Sequence, residues 1–87
     1  MKFGSKFEIK LYLKLKNEYN CEILRKGCPD FLIFSPNRKL FFVEIKKGNC
    51  QLKEHQKRFK ELLEKMGIKV FISQDGKITD EILQELK

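Results

Sequence analysis

Three residues in the middle of the chain carry side chains that could do chemistry together: Asp30, Glu44 and Lys46. Glu44 and Lys46 are two apart in Leu40–Lys46, an apolar run that reads as a β-strand, so their side chains share one face. Their Cα atoms are then about 6.6 Å apart at a rise of roughly 3.3 Å per residue, and two long side chains can converge on one bound group. Ile45 points the other way, towards a core, and leaves its backbone carbonyl available beside the two. Asp30 opens the preceding apolar run, Asp30–Ser35, and Pro36-Asn37-Arg38-Lys39 turns between the runs.

The register of those strands decides whether Asp30 joins the other two. An odd loop centred on Asn37 places Asp30 opposite Glu44, and one centred on Arg38 places it opposite Lys46. An even loop places it opposite Ile45, on the wrong face. The functional reading therefore requires an odd loop, or a bulge near Asp30. Two carboxylates and a carbonyl are hard oxygen ligands of the kind that Mg²⁺ or Mn²⁺ takes. A lysine beside them could orient a water and offset negative charge that grows on a phosphoryl group.

Each residue also has a plain structural reading. Asp30 follows a proline and could serve only a turn. Glu44 and Lys46 could be a surface ion pair of little energetic value. Glu44, however, sits in Phe41-Phe42-Val43-Glu44-Ile45, and a charge within such a run requires a partner or a metal.

The elements that must position this trio follow from periodicity and punctuation. Ser5 to Tyr19 fits two patterns: strand-like alternation, and a helical spacing of Phe7, Leu11 and Leu15 with a Ser5-x-x-Glu8 capping box. Its length and its Leu and Lys content favour the helix. Cys21–Arg25 reads as a short strand, followed by a turn at Lys26-Gly27-Cys28-Pro29. Lys53–Met66 is a helix by the spacing of Phe59, Leu62, Leu63 and Met66, with Gly67 as its stop. Lys69–Ser73 is a fourth strand, and the helix before it permits a parallel crossover. Asp75-Gly76 turns, and Thr79 caps a last short helix. The order is αβββαβα. Apolar residues on both faces of the second and third strands predict cover on two sides, and the phenylalanines (Phe31, Phe34, Phe41, Phe42, Phe59, Phe71) read as core before they read as a base-stacking platform.

Bulk properties narrow the classes. The 87 residues make one domain, residues 1–87, with 41% hydrophobic and 36% charged residues, a composition of globular proteins. No apolar run is long enough to span a bilayer, and a cytoplasmic location is expected. The formal net charge is +7; residues 75–87 hold two Lys/Arg against four Asp/Glu, so the basic excess belongs to the part that carries the trio. Such a surface suits a polyanion, bound without sequence preference through its phosphates, although solvation alone also explains many lysine-rich faces. Cys21, Cys28, Cys50 and the single His55 lack the paired spacing of a zinc site, and reduced thiols are the expectation.

At these residues the chain resembles the PD-(D/E)xK phosphodiesterase superfamily, and within it the virus-type replication-repair nuclease (VRR-NUC) domain. The shared string is Gly27-x-Pro29-Asp30, then Glu44-Ile45-Lys46, then Leu52-x-x-x-Gln56 opening a helix, then Gly67-x-x-Val70. Four elements in order on the expected secondary structures are far more specific than the P-D…E-x-K skeleton alone. The resemblance implies an α/β fold with a restriction-endonuclease-like αβββαβ(α) core, a mixed four-stranded sheet flanked by helices. It implies a Mg²⁺- or Mn²⁺-dependent DNA endonuclease acting at structured DNA such as junctions, flaps or forks, in which Asp30, Glu44 and the Ile45 carbonyl hold the metal and Lys46 is the catalytic lysine. It adds Gln56, and a glutamate on the first helix, here Glu8, which the capping box with Ser5 explains equally well. Lys47, Arg25 and Lys26 flank the motif as DNA contacts, and two active sites for two strands imply a homodimer. No small-molecule cofactor and no membrane enter this reading. The alternatives are a non-catalytic nucleic-acid binding module with the same fold, or an RNA-directed nuclease. In one place the chain departs from the family: Lys53 stands where Ser or Thr tends to cap the glutamine's helix, so capping is weaker or falls to another group, such as Asn49.

Overall fold

A computed structural model describes residues 6–25, 31–48 and 50–87. The elements follow the predicted order: α1 Lys6–Glu18, β1 Glu22–Arg25, β2 Phe31–Phe34, β3 Leu40–Lys46, α2 Glu54–Lys65, β4 Lys69–Gln74 and α3 Asp80–Leu86. The fold is α/β, with a mixed four-stranded sheet flanked by helices. The strand order is β1-β2-β3-β4. β1, β2 and β3 pair antiparallel, and β4 joins β3 in parallel, as the intervening helix allows.

The helical reading of the first segment holds because its apolar side chains mate with one sheet face. Leu11 and Leu15, one turn apart, are fully buried and join Cys21, Phe31, Ile33, Phe41, Val43 and Ile82 in the core. Phe71 closes edge-to-face on Phe41 at 5.5 Å between centroids. Ser5, the proposed cap of this helix, lies outside the described residues. Cys21 is buried, and desolvation pushes its thiol above the usual range.

The opposite face is covered unevenly. α2 lies over β3 and β4, with Phe59 edge-on to Phe42 at 6.4 Å. Towards β1 the cover runs out: Phe34 is 40% exposed and Leu24 50%. Cover on two sides, expected for β2 and β3, is therefore complete only where α2 reaches. The six phenylalanines divide accordingly: Phe31 and Phe41 are core, Phe42 and Phe71 half-buried, Phe34 and Phe59 exposed.

The connections carry specific chemistry. α2 ends in a Schellman motif, in which the Gly67 N–H donates to the Glu64 carbonyl and the Ile68 N–H to the Leu63 carbonyl, with Gly67 at φ +83°. In the β2–β3 turn, Ser35 and Lys39 close the loop, and Asn37 Nδ2 donates to the Glu85 and Lys87 carbonyls at 3.0 and 2.6 Å. That side chain ties the hairpin to the end of α3, whose start is capped by the Thr79 hydroxyl, accepting from the Ile82 N–H at 3.2 Å. No described helix is long and apolar enough to cross a membrane.

Gly76, at φ +75°, sits where a Cβ would meet the Phe7 carbonyl oxygen at 2.6 Å, whereas a Cβ on Gly67 would meet open space. Gly76→Ala should therefore destabilise the fold by about 2–4 kcal/mol, from left-handed strain plus backbone contact, and Gly67→Ala by only about 1 kcal/mol. Urea unfolding of the two variants checks the difference.

Candidate active site

The register of the hairpin is the geometric fact on which the site turns. Phe34 pairs with Leu40, Ile33 with Phe41, Leu32 with Phe42 and Phe31 with Val43, a ladder symmetric about Asn37. This is the odd loop of the first alternative. Phe31 and Val43, the last described pair, are both fully buried on the α1 face, so Glu44 turns to the other face. Asp30, with Lys26, Gly27, Cys28 and Pro29, lies outside the described residues, as does Asn49.

Glu44 is 5% exposed, and its surroundings account for a charge at that depth. Gln56 Nε2 donates to Glu44 Oε1 at 2.8 Å, and Lys46 Nζ stands 3.7 Å from the same oxygen. Gln56 Oε1 in turn accepts from Lys46 Nζ at 2.7 Å and from the Lys53 backbone N–H at 2.9 Å. One amide thus orients the acid, the lysine and its own helix start. Among the described residues no buried side-chain polar atom lacks a partner, as a buried charged cluster demands.

The same bond resolves the departure at Lys53. A lysine side chain has no acceptor and cannot cap α2, and the N-cap residue makes no side-chain bond. Gln56, at the third helical position, supplies the reciprocal half of a capping box instead, by accepting the Lys53 N–H. Glu54, in the first turn, adds favourable charge at that end.

The other expected residues distribute as follows. Ile45 packs against the core and leaves only its backbone on the strand. Glu8, on α1, pairs with Arg25 of β1 at 3.7 Å, so Arg25 holds the glutamate as well as flanking the motif. Lys47 is exposed immediately after the strand. His55 is exposed on α2, and Cys50 is exposed and free. No group of three or more His, Cys, Asp or Glu able to hold a metal occurs among the described residues; the oxygen donors they would offer a hard ion are the Glu44 carboxylate and the Ile45 carbonyl. That donor set fits a divalent oxygen-seeking ion only if a second carboxylate joins it.

One residue near the site was not anticipated. Asp75, read in the sequence only as a turn, donates its N–H to the Lys46 carbonyl at 2.8 Å and accepts the Gly48 N–H on Oδ1 at 2.8 Å. It ties the end of β3 to the end of β4. Its φ of +53° is the left-handed conformation that an Asp before Gly tolerates, the one local signal that could have marked it.

The sequence model of the VRR-NUC domain matches residues 6–74. A solved structure described as a VRR_NUC domain superposes with a TM-score of 0.70 at 26% sequence identity, over 92% of this chain and 97% of that one. No curated protein matches.

Replacing Gln56 by Leu removes a donor from Glu44 and an acceptor from both Lys46 and Lys53. A loss of about 2–3 kcal/mol in unfolding free energy is expected, measured by urea denaturation without added metal. From its sequence match, its element order and its superposition, the chain belongs to the VRR-NUC domain family and has a nuclease-type fold.

Proposed function

We propose that the protein is a Mg²⁺- or Mn²⁺-dependent DNA endonuclease that hydrolyses phosphodiester bonds at structured DNA, such as junctions, flaps or forks. The observation that carries this reading is the buried Glu44 carboxylate, held against Lys46 by the Gln56 amide in a nuclease-type fold. A carboxylate removed from water at this cost is expected where function requires it.

Asp30, Glu44 and the Ile45 carbonyl would hold the metal. The symmetric ladder supports Asp30 as the second acid, since its chain neighbour Phe31 pairs with Val43, the neighbour of Glu44. A divalent ion in that place supplies electrophilic activation of the scissile phosphate and acidifies a water. The chain's own groups do the rest. Lys46 orients the attacking water and offsets charge developing on the phosphoryl oxygens. Gln56 is a positioning residue that fixes Lys46 and Glu44 with respect to each other. Glu8, paired with Arg25, is a third acid within the same fold, and Lys47, Arg25 and Lys26, which flank the motif in the sequence, would contact neighbouring phosphates. The net charge of +7 supports DNA as partner, through counterion release. A homodimer would bring two such sites to the two strands of a branched substrate.

Purified protein, incubated with branched DNA and Mg²⁺ or Mn²⁺, should cut it, and Lys46→Ala and Asp30→Asn should each reduce the rate by at least about 100-fold while retaining DNA binding. Binding without cleavage in either metal would instead support a non-catalytic module, and cleavage of RNA alone would point to an RNA-directed nuclease. With Ca²⁺ in place of the active metals, affinity for DNA should fall steeply between about 50 and 200 mM salt, as measured by fluorescence anisotropy.

A further inference from the structure

Two cavities flank β4, and their linings differ in charge. The larger, about 540 Å³ between α2, β4 and α3, carries Glu64, Glu81 and Glu85 beside Lys60 and Lys69, so an anion entering it meets carboxylates. The other, about 470 Å³, opens at the C-terminal ends of β3 and β4, the end at which open α/β sheets usually bind ligands. Among the described residues its lining contains no acidic one. Lys46 and Lys57 supply cations, Gln51 and Gln74 supply primary amides, and Leu52 and Ile72 supply apolar surface.

We propose that this second cleft seats the nucleotide adjoining the scissile phosphate. The proposal rests on the phosphodiesterase reading and names the residues that would hold the substrate beside it. Lys46 belongs both to the cleft wall and to the Glu44–Gln56 cluster, so a nucleotide in the cleft is adjacent to the reacting centre. Lys57 is half-exposed and pairs with the exposed Glu54 at 3.8 Å, a pair that a phosphate displaces at little cost. The two glutamine amides each donate and accept, so they can bond the polar edge of any base or a sugar oxygen without selecting one sequence. Leu52 and Ile72 offer contact to the face of a sugar or base. The volume lies within the usual range for small-ligand sites, roughly 300–1,000 Å³. The loop that forms one wall is anchored by Asp75, whose carboxylate accepts the Gly48 N–H.

Cys50 lies in the same lining, exposed and free, and so reports on occupancy. Cys21, buried with a raised thiol pKa, stays unreactive. The test is the rate of alkylation of Cys50 by N-ethylmaleimide, located by peptide mass spectrometry, with thymidine 3′,5′-bisphosphate titrated onto the whole chain in EDTA. Saturating bisphosphate should slow the reaction by about fivefold or more, and Lys57→Ala and Gln74→Ala should each raise the half-protecting concentration by about tenfold. On branched DNA with Mg²⁺ the same variants should raise KM by about that factor and leave kcat within about twofold. If Cys50 is alkylated equally fast with and without the bisphosphate, the cleft is not a nucleotide site. If DNA is cut while Cys50 stays unprotected and KM is unchanged in both variants, the cleft assignment falls and the nuclease reading stands. If the bisphosphate protects Cys50 but DNA is cut with neither metal, the cleft is a nucleotide site, but the nuclease reading falls and with it the place beside a scissile phosphate.

Discussion

The site depends on one side-chain amide. Gln56 donates to Glu44 and accepts from Lys46, and so holds an acid and an amine, both nearly out of solvent, in a fixed relation. Ion pairs at that depth are poor sources of stability, because desolvation offsets their attraction unless every remaining group is satisfied. Here the amide completes the satisfaction, and its third bond, from the Lys53 N–H, fastens it to the start of α2. A loose glutamine would leave Glu44 and Lys46 to collapse on each other. A rigid one keeps Lys46 Nζ 3.7 Å from the carboxylate oxygen, beyond direct hydrogen-bond distance.

The fold can be understood as the scaffold for that geometry. β3 carries Glu44 and Lys46 at its C-terminal end, and α2 carries Gln56 over the same face. The parallel pairing of β3 with β4 requires a long crossover between them, usually a helix, and the element that supplies Gln56 is that crossover. Asp75 then stitches the exits of the two strands together. On the other face, α1 and α3 bury Phe31, Phe41 and Val43, and that burial fixes which way Glu44 points, because neighbouring strand residues alternate. Core packing on one side therefore sets the chemistry on the other.

Much of this was legible in the chain. Helix α2 could be read from the spacing of its apolar residues and from Gly67, and the Schellman motif at its end is the physical reason the glycine is there. The hairpin could be read as a hairpin, but not its register, since odd and even loops of Pro36–Lys39 leave the same local sequence. The tie from Asn37 to the carbonyls of α3 is a contact between residues nearly fifty positions apart, and no local pattern announces it. The cap of α2 is hidden for a related reason: Lys53 shows that the N-cap side chain cannot supply it, but not that the bond comes from Gln56, three residues inside. The bare patch around Leu24 and Phe34 was likewise hidden, because alternation shows which residues are apolar and not how far α2 reaches across the sheet.

On the proposed reading, Glu44 is buried in order to hold a divalent ion with a second acid. Crystals soaked in Mn²⁺ and measured at the manganese absorption edge test it directly. One or more anomalous peaks are expected about 2.0–2.4 Å from a Glu44 carboxylate oxygen, with Asp30 and the Ile45 carbonyl as further ligands. Full occupancy of Mn²⁺ elsewhere, with Glu44 still bonded to Gln56 and Lys46 and with Asp30 directed to the other face of the sheet, would overturn that reading.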